Sequence, residues 1–315
     1  MNAIEIIGLG KRFNLEAGFF ARFGKFVYAV NDVSFAIRKG ETYGLVGESG
    51  CGKTTTARLL VRMYEADSGS ISFDDGKTDV RALGRADLRR YRERVKYVFQ
   101  DPSRSLNPRM TVYGILTAAL RWSPSWPGAR AARERAAAIM EEVGLSAADL
   151  DRRPADFSGG QRQRISIARG LIMNPEVLVC DEVVSALDVS IQGQILNLLL
   201  DVRERRGLSL LFIAHDLKVS GWFCDRIGVM YRGELMEEAP ARDLYREARH
   251  PYTKLLYSSA LPGGAAIAGE ISRAHSEHEG CAFVGRCPVA EARCLAVRPE
   301  FREVSPGHRV RCHLV

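Results

Sequence analysis

The run GLVGESGCGKTTTARLL sets Gly47, four further residues, Gly52, Lys53 and Thr54 in series. Glycines let a backbone curl until its N–H groups point inward at an anion. Lys53 adds a cation for phosphate oxygens, and the Thr54 hydroxyl is suited to hold Mg²⁺. With Glu48, Ser49, Gly50, Cys51 and Thr55 they make a loop whose chemistry is the holding of nucleotide phosphates. A second set of reactive residues lies in VLVCDE, where an apolar strand delivers Asp181 and Glu182 to its carboxyl end. Asp181 is placed to reach Mg²⁺ through water, and Glu182 to orient or deprotonate an attacking water.

A third stretch, FSGGQRQRISIARGL, has Ser158, Gly159 and Gly160 ahead of Ile165, Ala168, Leu171 and Ile172 at helical spacing. Free N–H groups and the helix dipole at such a start favour an anion, and the serine is also an N-cap. The loop at Gly47 already covers the phosphates of one nucleotide. A second anion site is useful if another chain presents its own nucleotide to it.

The elements that must carry these residues follow from pattern. AIEII and AVNDVSFAI read as strands, RKGE as a turn, TYGLV as a buried strand and KTTTARLLVRM as a helix. From about residue 101 to 171 the pattern is helical, clearest in GARAARERAAAIMEEVGL. EVLVCDE and LSLLFIAHD return as continuous apolar runs, the mark of strands buried on both faces of a parallel sheet. A helical insert therefore interrupts an α/β domain. After about Pro240 the regular rhythm fades. LPGGAAIAGE reads as a flexible linker, and the last 35 residues hold four of seven cysteines.

Bulk properties bound the function. A chain of 315 residues with 46% apolar content can build a full core. The opening MNAIEIIGLGKRF lacks the layout of a secretory signal, and no apolar run approaches the ~18 residues of a membrane span. The expectation is a cytosolic protein, or one attached to a membrane through another chain. The net charge of +7 suits nucleotide phosphates, nucleic acid or an anionic surface alike. The arginines of RADLRRYRERVKY read as a solvated helix face rather than a binding patch.

FSGGQ, taken with the Gly47 loop and the Asp181–Glu182 pair, resembles the signature of ABC-transporter ATPases. The fold this implies is a P-loop ABC ATPase. It has a RecA-like α/β core with N-terminal antiparallel strands and a helical subdomain, and here a small cysteine-bearing extension. The resemblance implies a cassette over 1–240, with the helical subdomain at about 101–171, and an extension over 241–315. In that family two cassettes dimerise head to tail, so Ser158, Gly159, Gly160 and Gln161 would close over the partner's ATP. Gln100 in YVFQDP matches the glutamine that senses Mg²⁺ and the attacking water. Mg²⁺ would then be held by Thr54, Gln100 and Asp181. Asp188 in SALD matches the loop that crosses the dimer interface, and His215 matches the histidine that contacts the γ-phosphate. Val183 stands where the family usually has proline, and relaxes the fixed φ beside Glu182. Adenine usually stacks on an upstream aromatic; Phe23, Phe26 and Tyr28 are all candidates, with Tyr28 carried as the ATP-site residue.

VFQDPSRSLNPRMTV, SALDVSIQGQILNLL and HPYTKLLYSSALP narrow the resemblance to the oligopeptide/dipeptide importers, to the second of their paired ATPases. This implies two membrane-spanning permease subunits, an extracytoplasmic binding protein, and a second ATPase that is a sister or a copy. It places the chain peripherally on the cytoplasmic face of the inner membrane, with no nucleic acid. The cargo is left open among peptides, nickel, glutathione, sugars and opine-like conjugates. The rival is a soluble ABC-type ATPase acting on nucleic acid or ribosomes, which usually carries a long coiled-coil insertion or two cassettes per chain.

Cys281, Cys287, Cys294 and Cys312 give C-x5-C-x6-C-x17-C, which is not the paired rhythm of common zinc sites. Four thiolates can ligate a [4Fe–4S] cluster, and members of the resembled family carry one at matching cysteines. The expectation is Fe–S at these four, with zinc as the alternative and His308 or His313 as spare ligands. Cys51, Cys180 and Cys224 read as packing. Cys51 is expected to be the thiol that reacts with reagents.

Overall fold

The computed structural model describes residues 1–14, 26–123, 126–259 and 280–315. The candidate Phe23 and the expected linker at 261–270 lie outside them. In chain order the elements begin with β1 (Asn2–Asn14), β2 (Phe26–Arg38), β3 (Thr42–Val46), α1 (Lys53–Leu60), β4 (Ser68–Phe73) and β5 (Thr78–Asp79). There follow α2 (Arg85–Arg94), β6 (Val95–Val98), α3 (Pro102–Ser105), α4 (Val112–Arg121), α5 (Ala129–Glu142) and α6 (Gly159–Leu171). Next come β7 (Val177–Asp181), α7 (Val189–Arg206), β8 (Ser209–Ala214), α8 (Leu217–Phe223), β9 (Arg226–Tyr231) and β10 (Glu234–Pro240). The chain ends with α9 (Ala241–Glu247), α10 (Pro251–Ser259), α11 (Ala292–Ala296), β11 (Arg302–Ser305) and β12 (His308–Val310). It divides into two compact units, one made of Met1–Ala82 with Phe212–Val315, the other of Leu83–Leu211.

In the first unit, β2, β1, β4 and β5 form an antiparallel sheet in that order. A second sheet runs β11-β12-β10-β9-β3, with β3 and β9 parallel and the other pairs antiparallel. Every residue of β3 is buried, as its unbroken apolar run predicts.

β10 obeys no such rule. ELMEEAP is buried along nearly its whole length although it carries three glutamates. Each glutamate meets a cation or donor from elsewhere. Glu234 accepts from Asn31 Nδ2 at 2.8 Å and lies 3.2 Å from Arg298 Nε. Glu238 pairs with Arg226 and, at 3.2 Å, with Arg309. Glu237 lies 2.6 Å from His308 Nε2 and accepts the backbone N–H groups of Arg249 and His250. The fading rhythm after Pro240 is thus misleading. The tail supplies two further strands to this sheet; its Arg298 and Arg309 offset charge on β10, and its His308 hydrogen-bonds Glu237.

His250 and Pro251 start α10. His250 is buried and its Nδ1 accepts the Tyr252 N–H at 3.0 Å, while proline occupies the first helical position, where no N–H is needed. Burial holds the His250 imidazolium down, to a pKa of about 4. The ring is therefore neutral in the fold and must gain a proton on unfolding once pH drops below about 6.5. Stability from this group is complete above 6.5 and declines as pH falls toward 4, by about 3 kcal/mol in all. His250→Asn keeps an acceptor for Tyr252 but does not titrate. Thermal midpoints followed from pH 7 to 4.5 are expected to fall less steeply for this variant. Equal slopes would assign the acid limb to another group.

In the second unit β6 and β7 pair in parallel, with β7 buried at every residue and β6 at all but Lys96. α5 buries Ala132, Ala136, Ile139 and Met140, a helical stripe at i, i+4, i+7 and i+8. α6 begins with a capping box. Ser158 Oγ accepts the Gln161 N–H and Gln161 Oε1 accepts the Ser158 N–H.

Candidate nucleotide site

The phosphate loop occupies 47–52 between β3 and α1. Gly52 has φ +110°, and a Cβ there would lie 2.1 Å from the Ala29 carbonyl oxygen. A Cβ on Gly47 would lie 2.1 Å from the Met230 carbonyl oxygen. Only glycine fits at either point, because β2 and β9 press on the loop from behind. The loop is also tied to the β9–β10 turn, since the Gly233 N–H donates to the Cys51 carbonyl at 2.8 Å. Lys53 Nζ is nearly buried and donates to the carbonyls of Gly47 and Glu48 at 2.7 and 2.9 Å. Its cation is thereby held over the loop. Thr54 and Thr55 follow in the first turn of α1.

Cys51 is a packing residue as expected, but it is not placed as an accessible thiol. It is 1% exposed, and burial raises its pKa, so it is shielded from reagents and disfavoured as a thiolate. Among the aromatic candidates, Phe26 packs under the Arg12 guanidinium at 4.7 Å. Tyr28 directly precedes Ala29, whose carbonyl abuts Gly52.

Two contacts in this loop had no signal in the spacing of its residues. Tyr252 Oη accepts the Glu48 N–H at 3.1 Å. Arg286 binds the Glu48 carboxylate with both terminal nitrogens, at 2.8 and 2.9 Å. His215, in the same unit, stands exposed just after β8.

The acidic residues belong to the second unit. Asp181 ends β7, is 3% exposed, and accepts a hydrogen bond from the Tyr97 hydroxyl. Tyr97 lies three residues before Gln100, and only its strand partner reveals its use. Glu182 takes φ +49°, an uncommon conformation for a residue with a side chain. Its carboxylate accepts from Gln100 Nε2 at 2.7 Å, so these two candidates meet directly. Val183 packs inward at 1% exposure, and Ser185 Oγ donates to the Glu182 carbonyl at 2.9 Å. Ser158 and Gly159 stand exposed at the head of α6, and Asp188 and Val189 are exposed at the head of α7. Gly160 is needed for packing, because a Cβ there would lie 2.8 Å from Ile191.

Burial, with the neighbouring tail thiolates, pushes Cys281 up to about 11, and burial likewise raises Cys287. The chemistry of the four tail cysteines suits a cluster, but their arrangement does not. Among the described residues no group of three or more His, Cys, Asp or Glu side chains is placed to hold a metal ion. The Fe–S expectation, and the zinc alternative, gain no support from this geometry.

A family model described as ABC transporter matches residues 30–185, and one described as oligopeptide/dipeptide transporter, C-terminal region, matches 236–294. A putative peptide import ATP-binding protein of Brucella ovis is 46% identical over 292 residues, 90% of each chain. The chain belongs to the ABC-transporter ATPases of the oligopeptide/dipeptide family. The oligopeptide transport ATP-binding protein AppF of Bacillus subtilis is 42% identical over 99% of this chain and 97% of that one. The dimeric, post-hydrolysis structure of the ATP-binding cassette MJ0796, bound to ADP and Pi, superposes with a TM-score of 0.65 at 26% identity. That likeness covers 76% of this chain and 99% of the other. This ABC ATPase therefore hydrolyses ATP, with Mg²⁺ as its metal, on a mixed α/β cassette fold. The soluble nucleic-acid rival is not favoured, since both family matches are to transporters. Among the described residues no helix is long and apolar enough to cross a membrane.

Proposed function

We propose that this ABC ATPase energises the import of di- or oligopeptides from the cytoplasmic face of the inner membrane. The observation that carries the proposal is the match of residues 236–294 to the oligopeptide/dipeptide C-terminal region. In this reading the chain divides into a cassette over 1–240, with its helical subdomain at about 101–171, and an extension over 241–315. A sister ATPase or a second copy completes the dimer, and two permease subunits and an extracytoplasmic binding protein complete the importer.

Within the cassette, N–H groups of the Gly47–Thr55 loop other than that of Glu48, which is given to Tyr252, and the Lys53 cation hold the phosphates, and Tyr28 stacks on adenine. Thr54, Gln100 and Asp181 are the residues that would hold Mg²⁺. Asp181, buried and oriented by Tyr97, has the character such a ligand needs. The ion's chemistry is to offset charge on the phosphates. Glu182 accepts a proton from the attacking water and Gln100 orients its carboxylate, while His215 steadies the γ-phosphate. Ser158–Gln161 and Asp188, exposed on one chain, are the groups offered to the partner's nucleotide.

Closure is passed to the permeases near Gln100. Beside it in the chain, Lys96 lines a groove of about 640 Å³ with Arg85, Arg89, Arg92, Trp122 and Met173. The arginine-rich helix therefore faces a concave surface as well as solvent.

Pulling the protein from mildly solubilised native membranes tests the reading. Two polytopic subunits and a second ATPase should accompany it; recovery with ribosomes or DNA would overturn transport. Iron and zinc analysis of the same material, purified anaerobically, decides the tail. Iron with absorbance near 400 nm would establish Fe–S at Cys281, Cys287, Cys294 and Cys312. Zinc without iron would establish the alternative, and neither metal would leave a packed thiol tail.

A further inference from the structure

We propose that the C-terminal extension is a working part of the phosphate loop, with Arg286 and Tyr252 as positioning residues for ATP. The inference rests on the nucleotide-site reading above and adds two residues to it.

Glu48 is the one acidic residue in the loop, directly ahead of the anion-binding glycines. An uncompensated carboxylate there would repel the phosphates and compete for Lys53. Arg286 meets it with two parallel charge-assisted bonds at 2.8 and 2.9 Å, and both side chains are largely buried, at 10% and 17% exposure. The Arg286 guanidinium also lies over the Tyr231 ring at 5.6 Å. Tyr252 fixes the same residue from the backbone side, through the bond from the Glu48 N–H.

The clamp is anchored in a packed aromatic cluster. Tyr252 lies 4.6 Å from Tyr231, centroid to centroid, and both lie 5.3 Å from Phe283, three residues before Arg286. All three rings are fully buried. Glu48 is thus neutralised and aimed by residues 204 and 238 positions away in the chain.

The division of labour follows. Lys53 attracts the phosphates. Arg286 removes the opposing charge and keeps Lys53 available. Loss of Arg286 weakens ground-state binding of ATP and spares the chemical step, which raises KM and leaves kcat in place.

The test uses the full-length chain with its co-purifying partners. It measures Mg-ATP hydrolysis kinetics and equilibrium binding of a fluorescent ATP analogue. Arg286→Ala is expected to raise both KM and Kd about tenfold, with kcat changed less than about twofold. Arg286→Lys, which keeps the charge but loses the fork, should fall between, at about threefold. The double variant Arg286→Ala/Glu48→Gln should return to within about twofold of wild type, because a neutral side chain needs no partner cation. A packing role for Arg286 would not be rescued by a change at Glu48. Wild-type KM and Kd in Arg286→Ala, or failure of the double variant to recover, would overturn the proposal. A wild-type protein that does not bind the analogue would instead overturn the nucleotide-site reading itself.

Discussion

Glu182→Gln should lower ATP turnover by about a thousandfold while leaving the fold intact. Glutamine has the same shape and keeps an oxygen to accept the bond from Gln100 Nε2, now 2.7 Å from the carboxylate. It cannot take a proton from water. Because the loop at Gly47 and the head of α6 are untouched, nucleotide binding persists, and the variant should accumulate as an ATP-bound closed dimer. Steady-state phosphate release together with light scattering in ATP measures both effects. Turnover near the wild-type rate would remove Glu182 from the role of base. Glu182 makes this bond from a φ of +49°, and Ser185 Oγ closes the turn behind it by donating to the Glu182 carbonyl.

The largest expected loss of stability comes from Glu237→Ala, about 3–5 kcal/mol. The residue is 0% exposed and serves His308 Nε2 and the backbone N–H groups of Arg249 and His250. Alanine strands all three donors in the interior. Denaturant midpoints measure the loss; a drop under about 1 kcal/mol would mean that water replaces the carboxylate. The pH dependence has a defined sign. Burial pushes the Glu237 carboxyl up, but His308, the Thr253 hydroxyl and the two backbone donors outweigh burial and hold it below the usual glutamate range. A depressed carboxylate stabilises fully above the unfolded value, near 4.3, and that contribution is lost as pH falls through the lower folded value. The variant should lack this acid limb below pH 4, a window beneath the one assigned to His250.

The local sequence carried the chemistry of this protein because its motifs are local. Gly52 and Lys53, the residues proposed to hold the phosphates, are adjacent in the backbone, and Ser158 caps with Gln161 three residues on. The order of those motifs, with apolar strands at 42–46, 177–181 and 209–214, was enough for fold class and family. Tertiary structure decided what depends on distant partners. ELMEEAP fails every pattern for a buried strand, and becomes one only because Arg226, Arg298, His308 and Arg309 converge on its glutamates. The thiol at Cys51 is buried, which no spacing encodes. Arg286 is one arginine among many until the chain folds and sets it on Glu48. Periodicity and loop motifs report neighbours along the backbone; charge compensation is a property of neighbours in space.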